Sequence, residues 1–398
     1  MNEEQSQPRI SWEMLFLFFV IMVSFFDTLS QLPIISPYAR HLGSTEQMIG
    51  LIVSTYSLVN FFANFFAGYF IDRYGRKIVI VLGMTTAGIA IFLYSVVTTP
   101  LQFLAVRVLH GLGGGFLVPA AFTSAGDRAA SSTNRGGTMA KAGVAVAVAA
   151  ILGPPFSGIM KDRLGYDYVL YSVAALLLIT ALLAAIFLKE TLGEREEETG
   201  PKTSYKDIFN RHTLWISYLA AFFLMFGQGI LALSLPLYTE NLGISSTMTG
   251  VLFSSFAFSA MIIFMIPKNW IGKLLKREWN NILSITIGLF FVLLSLFLIP
   301  FFTDLSLLFV SMLIYGIGFG FLFPAMNTLI VESTEKRERG TAFGIFYAFF
   351  SLGVVLGPLV VSFFQSIPLS SFHIGSLFVA IGLITVLLIK SRISITHD

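Results

Sequence analysis

Residues 111–120 read GLGGGFLVPA and residues 316–325 read GIGFGFLFPA. Gly111, Gly113 and Gly115 fall over Gly316, Gly318 and Gly320, and each string closes on Pro-Ala. The match extends outward. Arg135-Gly136 and Gly153-Pro154 lie over Arg339-Gly340 and Gly357-Pro358, and a shift of 200 places Tyr38, Leu42, Gly43, Met48 and Gly50 over Tyr238, Leu242, Gly243, Met248 and Gly250. Close helix packing favours Gly and Pro in any membrane bundle, which accounts for single matches. It does not account for matches held at a nearly constant offset, so the chain reads as a duplication. Two halves of the same polarity imply an approximate two-fold axis along the membrane normal, with substrate held at midplane between them.

The repeated unit is built of spanning helices. The 398 residues are 56% hydrophobic and 12% charged, with mean hydropathy +0.81, whereas a soluble domain carries roughly a quarter charged residues. Apolar runs of about 20 residues fall near 14–38, 48–71, 78–99, 101–122, 139–160 and 168–188, then 213–237, 248–267, 281–300, 306–331, 341–364 and 373–389. Backbone polar groups must be satisfied within each segment in hydrocarbon, so these runs are helices. The expected fold is all-α, with twelve transmembrane helices in two pseudo-symmetric six-helix bundles. The first run exceeds a signal-peptide core and is expected to stay as the first helix. Residues 189–212 form the one long polar stretch, so the expected organisation is 1–188, a cytoplasmic linker at 189–212, and 213–398.

Basic residues orient the bundle. Of 25 Lys and Arg, 21 fall on the side that carries both termini, among them Arg9, Arg195, Lys202, Lys206, Lys268, Lys273, Lys276, Arg277, Lys336 and Arg337; the opposite loops hold Arg40, Lys161 and Arg163. The positive-inside rule then places both termini in the cytoplasm of a multi-pass protein of the cell membrane. Basic residues are not clustered with aromatics, which argues against nucleic acid as a partner. The absence of Cys excludes disulfides and thiolate metal sites, and no metal or cofactor is expected.

After the second span comes Gly68-Tyr-Phe-Ile-Asp72-Arg73-Tyr-Gly75-Arg76-Lys77. Here Gly68 permits close packing, an acid sits among three bases, and Gly75 permits a tight turn. The second half keeps the basic charge of this loop at Lys273, Lys276 and Arg277 but lacks the acid. The fourth span carries Arg107-Val-Leu-His110-Gly111-Leu-Gly-Gly-Gly115, and the fifth carries Gly153-Pro154-Pro155-Phe-Ser157-Gly158. The charged loop closely resembles the signature of the major facilitator superfamily. The other two strings resemble elements of its twelve-helix drug:proton antiporter branch, the last with Ala149 and Ser157 in place of two glycines. The resemblance implies proton-coupled antiport by alternating access. It also implies a latch at the cytoplasmic helix ends in the outward-open state, in which Asp72 and Arg76 pair with each other and with Asp127.

Charges deep in hydrocarbon are costly and mark functional candidates. Asp27 and Arg107 qualify, at depths compatible with contact, and His110 shares a helical face with Arg107. Asp27 is the expected proton-coupling residue, partly neutralised by Arg107 and joined by His110. Gln31, Asn60, Asn64, Gln228, Asn327 and Tyr347 are the uncharged candidates for a substrate cavity. With 41 Phe and 13 Met, such a cavity suits small amphipathic compounds of variable shape. The expected activity is export of drugs or similar compounds by a monomer. A lipid or lipid-precursor flippase, or an exporter of one metabolite such as a siderophore or sugar, is the alternative. The five His residues sit apart with no paired catalytic motif, and no G-x-x-x-x-G-K-[ST] loop is present, which disfavours an enzyme or a nucleotide-driven pump.

Overall fold

The computed structural model describes residues 12–130, 135–191, 208–266, 280–334, 339–364 and 370–395. Most of the expected linker, the charged loop of the second half and the basic residues Arg9, Arg195, Lys202, Lys206, Lys268, Lys273, Lys276, Arg277, Lys336 and Arg337 lie outside that set, as do the side chains of Asp72, Arg135 and Arg339. The first half comprises α1 (Trp12–Ser30), α2 (Ile35–His41), α3 (Glu46–Tyr74), α4 (Arg76–Tyr94), α5 (Pro100–Ala130), α6 (Arg135–Leu164) and α7 (Tyr166–Phe187). The second comprises α8 (His212–Asn241), α9 (Ser246–Met265), α10 (Asn281–Leu298), α11 (Leu305–Glu332), α12 (Arg339–Phe363) and α13 (Ser371–Ile395). Among the described residues, eleven helices are long and apolar enough to cross a membrane. The expected second span is α3, whose 29 residues extend over roughly 44 Å and exceed the ~30 Å hydrocarbon core.

The duplication is visible in local geometry. Gly43 and Gly243 both take positive φ, at 80° and 72°, where a Cβ would be strained. Thr45 and Ser245 follow them and cap the next helix, each accepting from the backbone N–H three residues on, Met48 or Met248, at 3.3 Å. Gly83 meets Gly113 between α4 and α5, and Gly288 meets Gly318 between α10 and α11; a Cβ at either first position would lie 3.0 or 2.7 Å from the facing carbonyl. Here the glycine strings serve close helix approach.

One expected span is broken. Pro33 lacks an N–H and disfavours helical backbone at Leu32, so α1 ends at Ser30 and the chain tightens over Gln31–Ile34 before α2 begins. Its counterpart α8 runs unbroken for 30 residues despite Pro236.

The halves meet through α3 on α12 and α6 on α9, and their named polar contacts lie toward the end of the bundle away from the termini, here called distal. Ser54 donates to the Val355 carbonyl and Ser254 to that of Ile151. Gly158 touches Ser246, Gly250 touches Pro154, and Gly50 touches Ser362, so closely that any Cβ would collide. Asp162, at the end of α6, accepts from the N–H groups of Ser246 and Thr247 at 3.2 and 2.7 Å, capping α9 across the interface. Arg40 reaches Glu240 at 3.3 Å and Glu46 of its own half at 3.0 Å.

Candidate transport site

Five side chains from α1, the break after it, α4 and α5 close a ring of hydrogen bonds inside the first half. His110 Nε2 lies 2.8 Å from Asp27 Oδ2, and His110 Nδ1 lies 3.0 Å from Tyr94 Oη. Arg107 Nη1 donates to Tyr94 Oη at 3.4 Å and to Gln31 Oε1 at 2.9 Å. Gln31 Nε2 donates to Asp27 Oδ1 at 3.0 Å and returns the ring to its start. All five are buried, His110 and Tyr94 completely.

Local structure explains the closure. The break at Gln31–Ile34 leaves Gln31 one turn beyond Asp27, and its amide bonds both the Asp27 carboxylate and the Asp27 carbonyl, the latter at 3.1 Å. Arg107 and His110 are three apart on α5 and project to one side. The guanidinium also donates to the carbonyls of Ile52 and Val53 on α3, at 3.1 and 3.4 Å, and lies over the Tyr56 ring at 5.1 Å. Tyr56 packs against His110 at 4.7 Å and shares a hydrogen bond with Thr28 at 3.1 Å. Tyr38 of α2 donates to the Tyr94 carbonyl at 2.5 Å, which ties the short helix to the ring.

This corrects the expected pairing. Among its described contacts, Arg107 does not reach Asp27, because its donors are taken by Gln31, Tyr94 and two carbonyls first; His110 makes the contact to the carboxylate instead. Tyr94, Tyr56 and Thr28 were not singled out from sequence. The ring joins the Arg107 guanidinium to the Asp27 carboxyl group through Gln31 on one side and through Tyr94 and His110 on the other.

A profile described as the Major Facilitator Superfamily matches residues 17–358, which include every member of the ring. The chain belongs to the Major Facilitator Superfamily. Its relatives in the superfamily include an MFS-type transporter of Methanocaldococcus jannaschii, 26% identical over 88% of this chain and 91% of that one. Multidrug resistance protein 1 of Bacillus subtilis is 25% identical over 86% of this chain and 87% of its own length. Among solved structures, the nucleoside transporter NupG superposes with a TM-score of 0.81 at 15% identity, covering 95% of this chain and 99% of that one. The protein is a multi-pass transporter with the superfamily fold.

The superfamily loop after α3 is shown in part. Gly75 sits at φ 92°, as a tight turn requires, and its missing Cβ leaves room for Glu190. Arg76 bonds Asp127 at 2.9 Å, a pair that the resemblance implies for the outward-open state. Arg73 turns instead to the Tyr69 hydroxyl and lies between the Tyr69 and Tyr74 rings. A Cβ at Gly68 would meet open space, so Gly68 serves no close packing in this conformation. Missed from sequence was the segment after α7. Glu190 caps α4 through the N–H groups of Arg76 and Lys77 at 2.9 and 3.1 Å, Thr191 donates to Asp127 at 3.0 Å, and Lys189 and Arg128 both pair with Glu13. An acid just past an apolar span was the only signal.

In the fifth-span motif, Gly153 approaches the Ser30 N–H at the end of α1, while Pro154, Pro155 and Gly158 press on α9, with α6 helical throughout. The uncharged candidates are dispersed. Asn64 donates to Asn60 at 3.0 Å along α3, so the two do share a face. Asn327 bonds the Phe323 carbonyl of its own helix at 2.6 Å, and Tyr347 lies half-exposed beside Phe343, Phe346 and Phe350. Gln228 has a buried amide oxygen with no hydrogen-bond partner among the described residues.

Proposed function

We propose that this protein exports drugs or other small amphipathic compounds in exchange for protons, by alternating access, as a monomer in the cell membrane with both termini cytoplasmic. The observation that carries the reading is the buried ring around Asp27. A carboxylate held among donors in one conformation changes its proton affinity when the helices carrying those donors move, and that difference couples protons to conformation by linkage. With the termini cytoplasmic, the distal closure makes this conformation inward-facing. The multidrug resistance proteins among the relatives support amphipathic substrates. Gln31, Asn60, Asn64, Gln228, Asn327 and Tyr347 supply the polar contacts of the cavity, and the loop with Asp72, Arg73, Arg76, Lys77 and Asp127 is the latch, whose Arg76–Asp127 pair is already made in this conformation. Residues 1–188 and 213–398 rock about the substrate, joined by 189–212.

The test is a substrate panel in proteoliposomes with imposed pH gradients. Wild type is expected to accumulate substrate against its gradient only when a proton gradient is imposed. Accumulation that ignores the pH gradient and follows sodium instead would sink the proton reading.

A further inference from the structure

Arginine carries only donors, and this fixes the hydrogens of the Gln31 branch and limits those of the Tyr94 branch. Arg107 donates to Gln31 Oε1, so the Gln31 amide turns its N–H toward Asp27 Oδ1. Arg107 also donates to Tyr94 Oη, so the buried phenolic hydrogen points away from Arg107 and finds His110 Nδ1 as its acceptor among the described residues. With Nδ1 accepting, the single N–H of the neutral imidazole is on Nε2 and points at Asp27 Oδ2. Both branches run from a pure donor to the carboxylate.

Along the ring bonds an extra proton finds no place while that pattern holds, and on a second lone pair of either carboxylate oxygen it would be a buried donor with no acceptor among the described residues. On Oδ1 it would face the Gln31 N–H, on Oδ2 the His110 N–H, and on Nδ1 the Tyr94 hydroxyl hydrogen. The Gln31 branch cannot reverse, since Arg107 has nothing with which to accept. The Tyr94 branch can. If its hydroxyl hydrogen swings away, Tyr94 Oη accepts from Nδ1–H, and the added proton is shared along Nε2 and Oδ2. One proton enters and one is held by the pair, while the Tyr94 hydrogen loses its acceptor in the ring. An orphaned buried donor is costly, so the protonated pair opposes this conformation.

We propose that Tyr94 is the positioning residue that pins His110 as its Nε2–H tautomer and thereby keeps the Asp27–His110 pair empty of an extra proton in this conformation. The titratable and charged groups that face His110 are Asp27 from α1, Tyr56 from α3, Tyr94 from α4 and Arg107 from α5. The role in transport rests on the proton-coupled reading above; the tautomer does not.

The experiment is nitrogen-15 NMR of histidine-labelled protein in lipid nanodiscs at neutral pH, with the His110 signals assigned by their loss in His110→Gln. Wild type is expected to show Nε2 protonated and Nδ1 bare. Tyr94→Phe is expected to admit the Nδ1–H form, and to lower pH-driven export about tenfold, the scale of one lost buried hydrogen bond. Phe103→Leu, which loosens the 4.7 Å packing of the Tyr94 ring but keeps the hydroxyl, is expected to retain the wild-type tautomer. An Nδ1–H tautomer in wild type overturns the assignment, as does an unchanged tautomer in Tyr94→Phe. If the tautomers behave as stated but no pH gradient drives export, the assignment stands and proton coupling falls.

Discussion

Where Asp27, Gln31, Tyr94, Arg107 and His110 close their ring in the first half, the duplication sets Gly227, Leu231, Ile299, Met312 and Tyr315 in the second. The scaffolding around the two sites is the same. Tyr56 packs on His110 at 4.7 Å and Phe256 meets Tyr315 edge-on at 5.4 Å, while Gly111 and Gly316 press on the backbones of α3 and α9. Yet the second half holds no charge there, and Tyr315 sends its hydroxyl to the Leu224 carbonyl at 3.4 Å. A shared fold is thus compatible with opposite interiors. One half buries a charged, hydrogen-bonded ring, and the other buries apolar side chains at the same positions.

Making the first half resemble the second should carry the largest penalty. Arg107→Met is expected to cost about 3–5 kcal/mol of unfolding free energy, because it leaves the Asp27 charge uncompensated together with Gln31 Oε1. Met312→Leu at the mirror position is expected to cost less than about 1.5 kcal/mol. Adding Asp27→Asn to Arg107→Met should recover at least about 1 kcal/mol, since the two residues share one network. Denaturation in matched detergent checks all three, and equal losses at Arg107 and Met312 would erase the asymmetry.

Function should split along the same line. Asp27→Asn is expected to abolish uphill, pH-driven export while downhill exchange persists, because Asn keeps the size, still accepts from Gln31 and can donate to His110 in its reversed tautomer, but cannot titrate. Gln228→Leu should leave the pH drive intact and raise KM about fivefold, the worth of roughly one hydrogen bond. Transport in liposomes with and without a pH gradient separates the two. Intact pH-driven accumulation in Asp27→Asn would remove the coupling role.

At the distal interface the halves differ again. Asp162 caps α9 across the gap through two backbone donors and the Thr247 hydroxyl, whereas the matching α3–α12 contact relies on Gly50 against Ser362. Asp162→Ala should favour distal opening by about 1 kcal/mol, a factor of about five. Because the chain has no Cys, a single introduced Cys in the distal loops reports opening by its labelling rate. Unchanged labelling would reduce Asp162 to a surface acid.

Much of this was legible in the sequence, for physical reasons. Spanning length, charge bias and a fixed repeat offset are one-dimensional quantities, so span number and pseudo-symmetry could be read off directly. Depth could be counted too, which singled out Asp27, Arg107 and His110. Direction around a helix and across a break could not. Nothing in the spacing said that the first span would break at Pro33, or that Gln31 would then intervene between Asp27 and Arg107. Tyr94 reads as an aromatic at a helix end, of the kind that sits at the membrane interface, and only packing shows its hydroxyl turned inward. Gly68 has open space beside it here, and sequence spacing does not say in which conformation a close approach would form.

The smallest expected effect concerns a pair that the duplication itself creates. Arg40 and Glu240 occupy equivalent positions and meet at 3.3 Å across the distal interface. Both side chains are about a third or more exposed, at 32% and 42%, so screening limits the pair to roughly 0–1 kcal/mol. Were the two halves interchangeable there, exchanging the charges would cost nothing. They are not, because Arg40 also bonds Glu46 of its own half at 3.0 Å, while Glu240 is followed at the matching position by Ser246. Arg40→Glu with Glu240→Arg therefore sets two carboxylates side by side in the first half and leaves the new guanidinium with one partner. The swap is expected to raise distal labelling about two- to fourfold, more than Glu240→Gln alone and less at high salt. Removing the acid that the swap leaves beside the new carboxylate at position 40, with Glu46→Gln added, should bring labelling back toward the wild-type rate. Full rescue by the simple swap would mean that Glu46 contributes nothing and that the pair answers only to the symmetry axis.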